Sequence, residues 1–268
     1  MLWGISSAQQ KSIIKKQTAR SFKIKSGFLS QKNIPPTERL IFALDVPDEQ
    51  EARSLVNKLK DAVNFYKLGL ELFLSGGYFN LLEWLIHEKN KKVFADLKFF
   101  DVPQTVRSAI RQLRGKGITF TTVHGNDSIL EASVKEKGDI KILAVTMLTS
   151  LDQKDIEDLG FNVDIKKLVL SRARRALEIG CDGVISSGLE AHELRESLGE
   201  KFLIITPGIR PVLNKAADDQ KRTVDVEEAF YNGADYIVVG RPIKAATDPE
   251  YAAKAIQQRI LRLFTEAH

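Results

Sequence analysis

The sequence predicts an α/β protein built as a single (β/α)₈ TIM barrel. From Leu40 onward, short apolar runs alternate with helical patterns, and eight such units fill about 230 residues, the usual size of this barrel. The runs are apolar throughout rather than alternating, as parallel strands covered on both faces require. Charged residues gather at the carboxyl ends of several runs, where barrels place their chemistry. The competing architecture is a doubly wound open sheet. It usually wants a Gly-rich turn after the first strand, and here that turn reads Asp45-Val46-Pro47-Asp48.

The elements follow in order. The first strand is Leu40–Leu44, closing on Asp45, and the helix after it starts at Asp48, an N-cap with Glu51 three residues on. Asn64–Leu68 is the second strand, followed by a helix over Tyr78–Lys89. Lys92–Leu97 is the third, with a helix from Pro103 to Arg114. Thr119–Val123 is the fourth, ending at His124, with a helix around Ile129–Lys137. Lys141–Met147 is the fifth, followed by helices over Asp152–Leu159 and Ile165–Ile179. Gly183–Ser186, Phe202–Thr206 and Tyr236–Val239 are the last three strands, and a helix over Glu250–Phe264 closes the chain.

Composition excludes several classes. The chain has no apolar run long enough to span a membrane. A single cysteine, Cys181, excludes an internal disulfide framework and a cysteine-cluster metal site, and points to a reducing, cytoplasmic setting. The net charge of +5 is misleading as a nucleic-acid signal. Residues 1–37 hold seven Lys or Arg and no acid, so 33 of the 40 bases face 35 acids in residues 38–268, a body of charge −2. The basicity belongs to the tail, and no basic face on the folded body is implied. Residues 1–37 therefore read as a basic N-terminal extension, disordered or loosely attached, before a catalytic barrel over 38–268. The extension lacks the continuous apolar stretch of a secretory signal.

The most informative stretch is Asp96-Leu97-Lys98-Phe99-Phe100-Asp101-Val102-Pro103-Gln104-Thr105. Side chains two apart on a strand share a face, so Asp96 and Lys98 point the same way off the end of one strand. Buried ions are costly unless paired, which makes such a cluster unusual in a purely structural segment. The plainer reading is a surface ion pair, with Asp101 capping the helix that begins at Pro103. Other strand ends shift the balance. They carry Asp45, Lys67, His124, Thr149 just past the fifth strand, Pro207-Gly208-Ile209-Arg210 and Gly240-Arg241. Lys67 alone would read as a lysine snorkelling from the rim, and His124 as a satisfied structural histidine.

A second theme is phosphate. Barrels often bind phosphate with the loops after strands seven and eight. Here the seventh runs into Thr206-Pro207-Gly208-Ile209-Arg210 and then a polar loop with Asp219-Gln220-Lys221-Arg222. The eighth gives Gly240-Arg241-Pro242, where glycine admits an anion to the backbone and arginine can grip two of its oxygens. The alternative is an ordinary turn with a surface arginine.

Taken together, these motifs resemble the orotidine 5′-phosphate decarboxylase family. The matching segments are Phe42-Ala43-Leu44-Asp45, Lys67-Leu68-Gly69, the decapeptide from Asp96, Val145-Thr146-Met147-Leu148-Thr149-Ser150, and the seventh- and eighth-strand motifs including Asp219-Gln220-Lys221-Arg222. They occur in the family's order and cover residues 39–245. The resemblance implies decarboxylation of orotidine 5′-phosphate to UMP, the last step of de novo UMP synthesis, with no cofactor and no metal. It implies a homodimer with active sites at the interface, and neither nucleic acid nor membrane as partner. By motif, Lys98 is the general acid, and Lys67, Asp96 and Asp101 complete a charged network with it. Asp101 and Thr105 reach the partner's site, Asp45 and Lys67 hold the ribose, and Thr149 lines the pyrimidine pocket. Pro207 belongs to the substrate-binding loop, and Arg210, Gln220, Gly240 and Arg241 surround the phosphate. Two departures stand out. Residues 1–37 have no counterpart in the compact bacterial form, and His124-Gly125-Asn126-Asp127 lacks the glycine-rich run expected there.

The chemistry explains the residue types. Loss of carbon dioxide from orotate leaves a vinyl-type carbanion with no carbonyl sink, so the site must supply electrostatics and a proton. A carboxylate beside the substrate carboxylate adds repulsion of about 4 kcal/mol at ~4 Å and an effective dielectric of ~20. Fully relieved, that gives only about three decades of rate, so repulsion alone is not the mechanism. The rival readings are a metal-dependent sugar-phosphate decarboxylase or aldolase sharing Asp-x-Lys-x-x-Asp, a Schiff-base aldolase, a silent nucleotide-binding barrel, and RNA binding by the tail.

Overall fold

The computed structural model describes residues 27–210 and 224–265. Eight strands close in sequence order into one parallel barrel: β1 Leu40–Ala43, β2 Phe65–Leu68, β3 Lys92–Phe99, β4 Phe120–His124, β5 Lys141–Val145, β6 Gly183–Ile185, β7 Leu203–Thr206 and β8 Tyr236–Val239. β1 pairs with both β2 and β8, so no edge strand is left. The expected strands are all present, most within a residue or two of their expected bounds. Helices Ala191–Leu198, Val226–Tyr231 and the short Leu70–Leu74 add to those read from the sequence. Asp48 caps the helix Glu49–Leu59, its carboxylate accepting from the Glu51 amide at 2.8 Å. The segment read as a helix over Tyr78–Lys89 is α-helical over Tyr78–Glu83 and then widens into a π-turn over Trp84–Glu88.

Alternation sorts the side chains. Outward-facing strand residues such as Phe42, Tyr66, Val93, Ile142 and Ile204 pack against the helices. Inward-facing residues form a separate barrel core: Ile41, Phe65, Phe94, Phe120, Leu143, Ile185, Leu203, Ile205, Tyr236 and Val238. Phe65, Phe94, Phe120 and Tyr236 meet there with ring centroids 5.1–6.0 Å apart. Two residues further along the same strands, the inward face presents Lys67, Asp96 and Thr122. The polar layer at the mouth thus sits directly on an aromatic floor.

β3 runs two residues past its expected end, to Phe99, and is not regular there. Its register with β4 shifts between Ala95 and Phe99, and Lys98 takes a left-handed φ of 48°. A regular strand would keep paired residues in step. The shift lets β3 bend over the mouth with Asp96 and Lys98 still side by side.

The far end of the barrel is also tied together. Residues 27–37, the described part of the basic extension, pack there rather than trailing away. Phe28 donates its amide to Tyr231 O at 2.9 Å, and Ser30 and Lys32 reach the buried Asp235 at 2.5 and 3.0 Å. Residues 1–26 lie outside the described residues. Among the described residues, no helix is long and apolar enough to cross a membrane.

Candidate active site

The carboxyl ends of the strands ring a cavity of about 550 Å³. Its wall includes Asp45, Lys67, Asp96, Lys98, Thr149, Pro207, Arg210, Gly240 and Arg241, nine of the twelve positions expected from the sequence. The apolar part is built by Phe94, Val145, Met147, Ile185 and Val238. One side is therefore ionic, and the floor is the top of the barrel core.

The ionic side is a line of alternating charge. Lys67 Nζ sits 3.0 Å from Asp45 Oδ1 and 3.4 Å from Asp96 Oδ2. Lys98 Nζ donates to both Asp96 oxygens at 3.0 Å. Asp96 is nearly enclosed, at 8% exposure, while Asp45 is open to solvent. Burial by itself would raise the Asp96 carboxyl. The two lysines outweigh it, with hydrogen bonds from Lys98 and Thr122 adding to them, so Asp96 stays below the ordinary carboxylate value. Burial likewise works against the Lys67 ammonium, but Asp96 and Asp45 reverse the effect and raise its pKa. Each charge is thus stabilised through its neighbours, and Asp96, held by two lysines, keeps a partner when Lys98 is lost.

The loops after β7 and β8 continue the wall on the other side of β1, since β8 pairs with β1. Gly208 adopts φ 78°, a conformation that favours glycine, where the chain turns from β7 toward Arg210. Gly240 and Arg241 begin the turn Arg241–Lys244. Gln220 lies outside the described residues, as do Asp219, Lys221 and Arg222.

Asp101 and Thr105 are not brought into this cavity. Asp101 is exposed, its carboxylate accepting from the Val102 amide at 2.6 Å, and Thr105 is exposed on the helix Pro103–Leu113. Within one chain the network is therefore Asp45–Lys67–Asp96–Lys98, without Asp101. His124 also stays off the cavity wall. Its ring packs on Phe100 with centroids 4.8 Å apart, and burial, with Arg172 and Lys98 nearby, lowers its pKa.

Two residues at the mouth escaped the reading of the sequence. Lys244 lines the cavity and its ammonium donates to the backbone carbonyl of Asp45, tying the loop after β8 to the end of β1. Thr122 is wholly buried beside Asp96. Lys244 follows Gly240-Arg241 by one helical turn, which is a usable signal. Thr122 stands next to Thr121, and only the β4 register tells which threonine faces inward. Among the described residues, no three His, Cys, Asp or Glu side chains are grouped so as to hold a metal ion.

Fold and mouth together define a barrel enzyme that works with ionised side chains at the carboxyl ends of its strands. The chain belongs to the orotidine 5′-phosphate decarboxylase / HUMPS family, whose model matches residues 38–256. It is 60% identical over 237 residues to orotidine 5′-phosphate decarboxylase of Methylococcus capsulatus, covering 88% of this chain and 98% of that relative. The enzyme of the same name from Stenotrophomonas maltophilia is 48% identical over 225 residues, covering 83% of this chain and 92% of the relative. Among solved structures, orotidine 5′-phosphate decarboxylase from Lactobacillus acidophilus superposes with a TM-score of 0.72 at 34% identity, covering 83% of this chain and 99% of that one.

Proposed function

We infer that the protein decarboxylates orotidine 5′-phosphate to UMP and carbon dioxide, the final step of de novo UMP synthesis, without a cofactor. The observation that carries this reading is the Asp45–Lys67–Asp96–Lys98 line, which borders the same cavity as Arg210 and Arg241. Arg210, Gly240 and Arg241, with Gln220, hold the phosphate, and Asp45 and Lys67 hold the ribose. Thr149 and Pro207 border the base. The C6–carboxylate bond then breaks heterolytically. Its electron pair stays on C6, carbon dioxide leaves, and the Lys98 ammonium, preorganised against Asp96, stabilises the developing charge and donates a proton to C6. Lys98 regains its proton from water. Binding energy gathered at the distant phosphate helps hold the charged line in order for the transition state.

The working unit is a homodimer in the cytoplasm. Asp101 and Thr105 lie outside their own cavity beside the exposed Phe100 and Val102, at 61% and 62% exposure, a placement that suits a partner-facing rim. They complete the partner's site. Mixing Lys98→Ala with Asp101→Ala subunits then regenerates one intact site per heterodimer and part of the lost turnover. Confirmed heterodimers with no recovery would rule this arrangement out.

The activity is tested by the ultraviolet absorbance of orotidine 5′-phosphate with purified protein, with and without EDTA. Conversion to UMP that ignores EDTA is the expected result. Turnover abolished by EDTA would point instead to the metal-dependent sugar-phosphate enzymes, and none in either condition would refute the assignment.

A further inference from the structure

We propose that Thr122, on β4, is the positioning residue that holds Asp96 and Lys98 in register for catalysis. This rests on the decarboxylase reading of the same site.

The geometry is a closed ring that leaves Lys98 and returns to it. The Lys98 backbone N–H donates to Thr122 Oγ1 at 2.9 Å. The acceptor side of the hydroxyl is thereby engaged, and its proton is directed onward. Thr122 Oγ1 donates to Asp96 Oδ1, also at 2.9 Å. That same oxygen accepts from Lys98 Nζ at 3.0 Å, which closes the ring. Thr122 is wholly buried, so no solvent competes for the hydroxyl.

The ring sits where the backbone is least regular. Lys98 has φ 48°, uncommon for a residue with a side chain, and the β3–β4 register slips between Ala95 and Phe99. Next to the slip, the Lys98 amide bonds to a side chain of β4. Thr122 is the β4 group that takes it, and it fixes the catalytic lysine at its backbone while fixing the carboxylate that orients its ammonium. A hydroxyl suits both tasks because it accepts and donates at once. Valine, nearly the same shape, does neither.

The test compares Thr122→Val with Thr122→Ser. The Val variant is expected to lose about ten- to a hundredfold in kcat, the scale of one hydrogen bond to a charged group, with UMP affinity and KM little changed. The Ser variant, which keeps the hydroxyl, restores most of that loss. Should the Val variant fail to fold, Thr122→Ala removes the hydroxyl without adding a methyl and carries the same expectation. A folded Val or Ala variant with kcat within about twofold of wild type would overturn the proposal. So would equal losses in the Val and Ser variants.

A second readout does not depend on turnover. The groups facing Asp96 are Lys67 from β2, Lys98 from its own strand and Tyr78 from the helix after β2. With these unchanged, NMR titration of the Asp96 carboxyl carbon should show a higher midpoint in Thr122→Val than in wild type or Thr122→Ser. An unchanged midpoint would overturn the positioning role. If wild-type protein did not convert orotidine 5′-phosphate, the decarboxylase reading would fall, and the titration would still decide whether Thr122 holds Asp96.

Discussion

The barrel buries a carboxylate network at each end, and the two are built on opposite terms. At the bottom, Asp235 is wholly enclosed and saturated. It accepts from Ser30 Oγ at 2.5 Å, Lys32 Nζ at 3.0 Å, Arg195 Nη2 at 2.7 Å and the Ile204 amide at 2.9 Å. Arg195, itself buried, spends its other donors on the carbonyls of Gly233 and Phe202, both at 2.9 Å. At the mouth, Asp96 is nearly as buried, but its lysines border a cavity and Lys98 is more than a third exposed. The bottom network joins an arm, a helix and two strands; its Asp235–Arg195 centre is enclosed, and only Lys32, 23% exposed, reaches the surface, where it and Ser30 line a small cleft. The mouth network keeps one face open, where a substrate can complete it. A carboxylate saturated from within suits a staple, and one whose cations border a large cavity suits the proposed chemistry.

The sharpest way to break the comparison is to remove one charge from each network. Lys98→Ala should lower turnover by about four orders of magnitude or more, since it removes the group proposed as both the proton donor and the cation facing the carbanion. Its stability should change by about 1 kcal/mol or less, because Lys98 is partly exposed and Lys67 still pairs with Asp96. Steady-state kinetics and thermal unfolding on the same sample check both halves. Near-normal turnover would remove Lys98 from the chemistry.

Asp235→Asn should do the reverse. It strips the shared partner from Arg195 and Lys32 and should cost about 3–5 kcal/mol of stability by denaturant unfolding. The kcat of the fraction that remains folded should stay at the wild-type value. A stable Asp235→Asn protein would mean that the bottom network is not a staple.

Arg241→Ala gives a smaller and different effect. Losing a guanidinium from the proposed phosphate site should raise KM about ten- to a hundredfold with a lesser change in kcat. The loss should shrink for a substrate lacking the phosphate, which separates binding from general damage to the mouth.

The smallest effect is on pH dependence. The folded pKa of Asp96 lies below its ordinary 3.8, so the unfolded chain binds the proton more readily. The stability Asp96 contributes is complete above the ordinary carboxylate range and is lost as pH falls through the folded pKa. Lys67, raised above its ordinary 10.5, contributes below that value and loses its contribution as pH rises through the folded pKa. Denaturant unfolding across acid pH should therefore show a shallower acid slope in Asp96→Asn than in wild type. Equal slopes would place the acid sensitivity elsewhere.

Most of the mouth could be read from the chain because several strands carry their own label. A charged residue directly after an apolar run marks a strand end, which is how Asp45, Lys67 and Asp96 with Lys98 stand out. The bottom network had no such label. Asp235 sits before β8, Arg195 within a helix and Ser30 in a basic tail, and nothing local links them. Their meeting follows from closure of the barrel, which brings the start of β8 beside the start of β7 and under the arm at residues 27–37. Thr122 was hidden for a related reason, since two adjacent threonines present opposite faces and only the pairing partner tells them apart.

Local periodicity and the run lengths between turns were enough to establish the barrel, the order of its strands and the residue types at its mouth, because those depend on neighbours in sequence. Folding in three dimensions was needed for the rest: the slip between β3 and β4, the left-handed Lys98, the Thr122 bridge, the attachment of the arm and the exclusion of Asp101 from its own cavity. Each of these turns on a distance between residues far apart in the chain, or on one backbone angle set by such a contact, and no pattern within a single strand or helix encodes it.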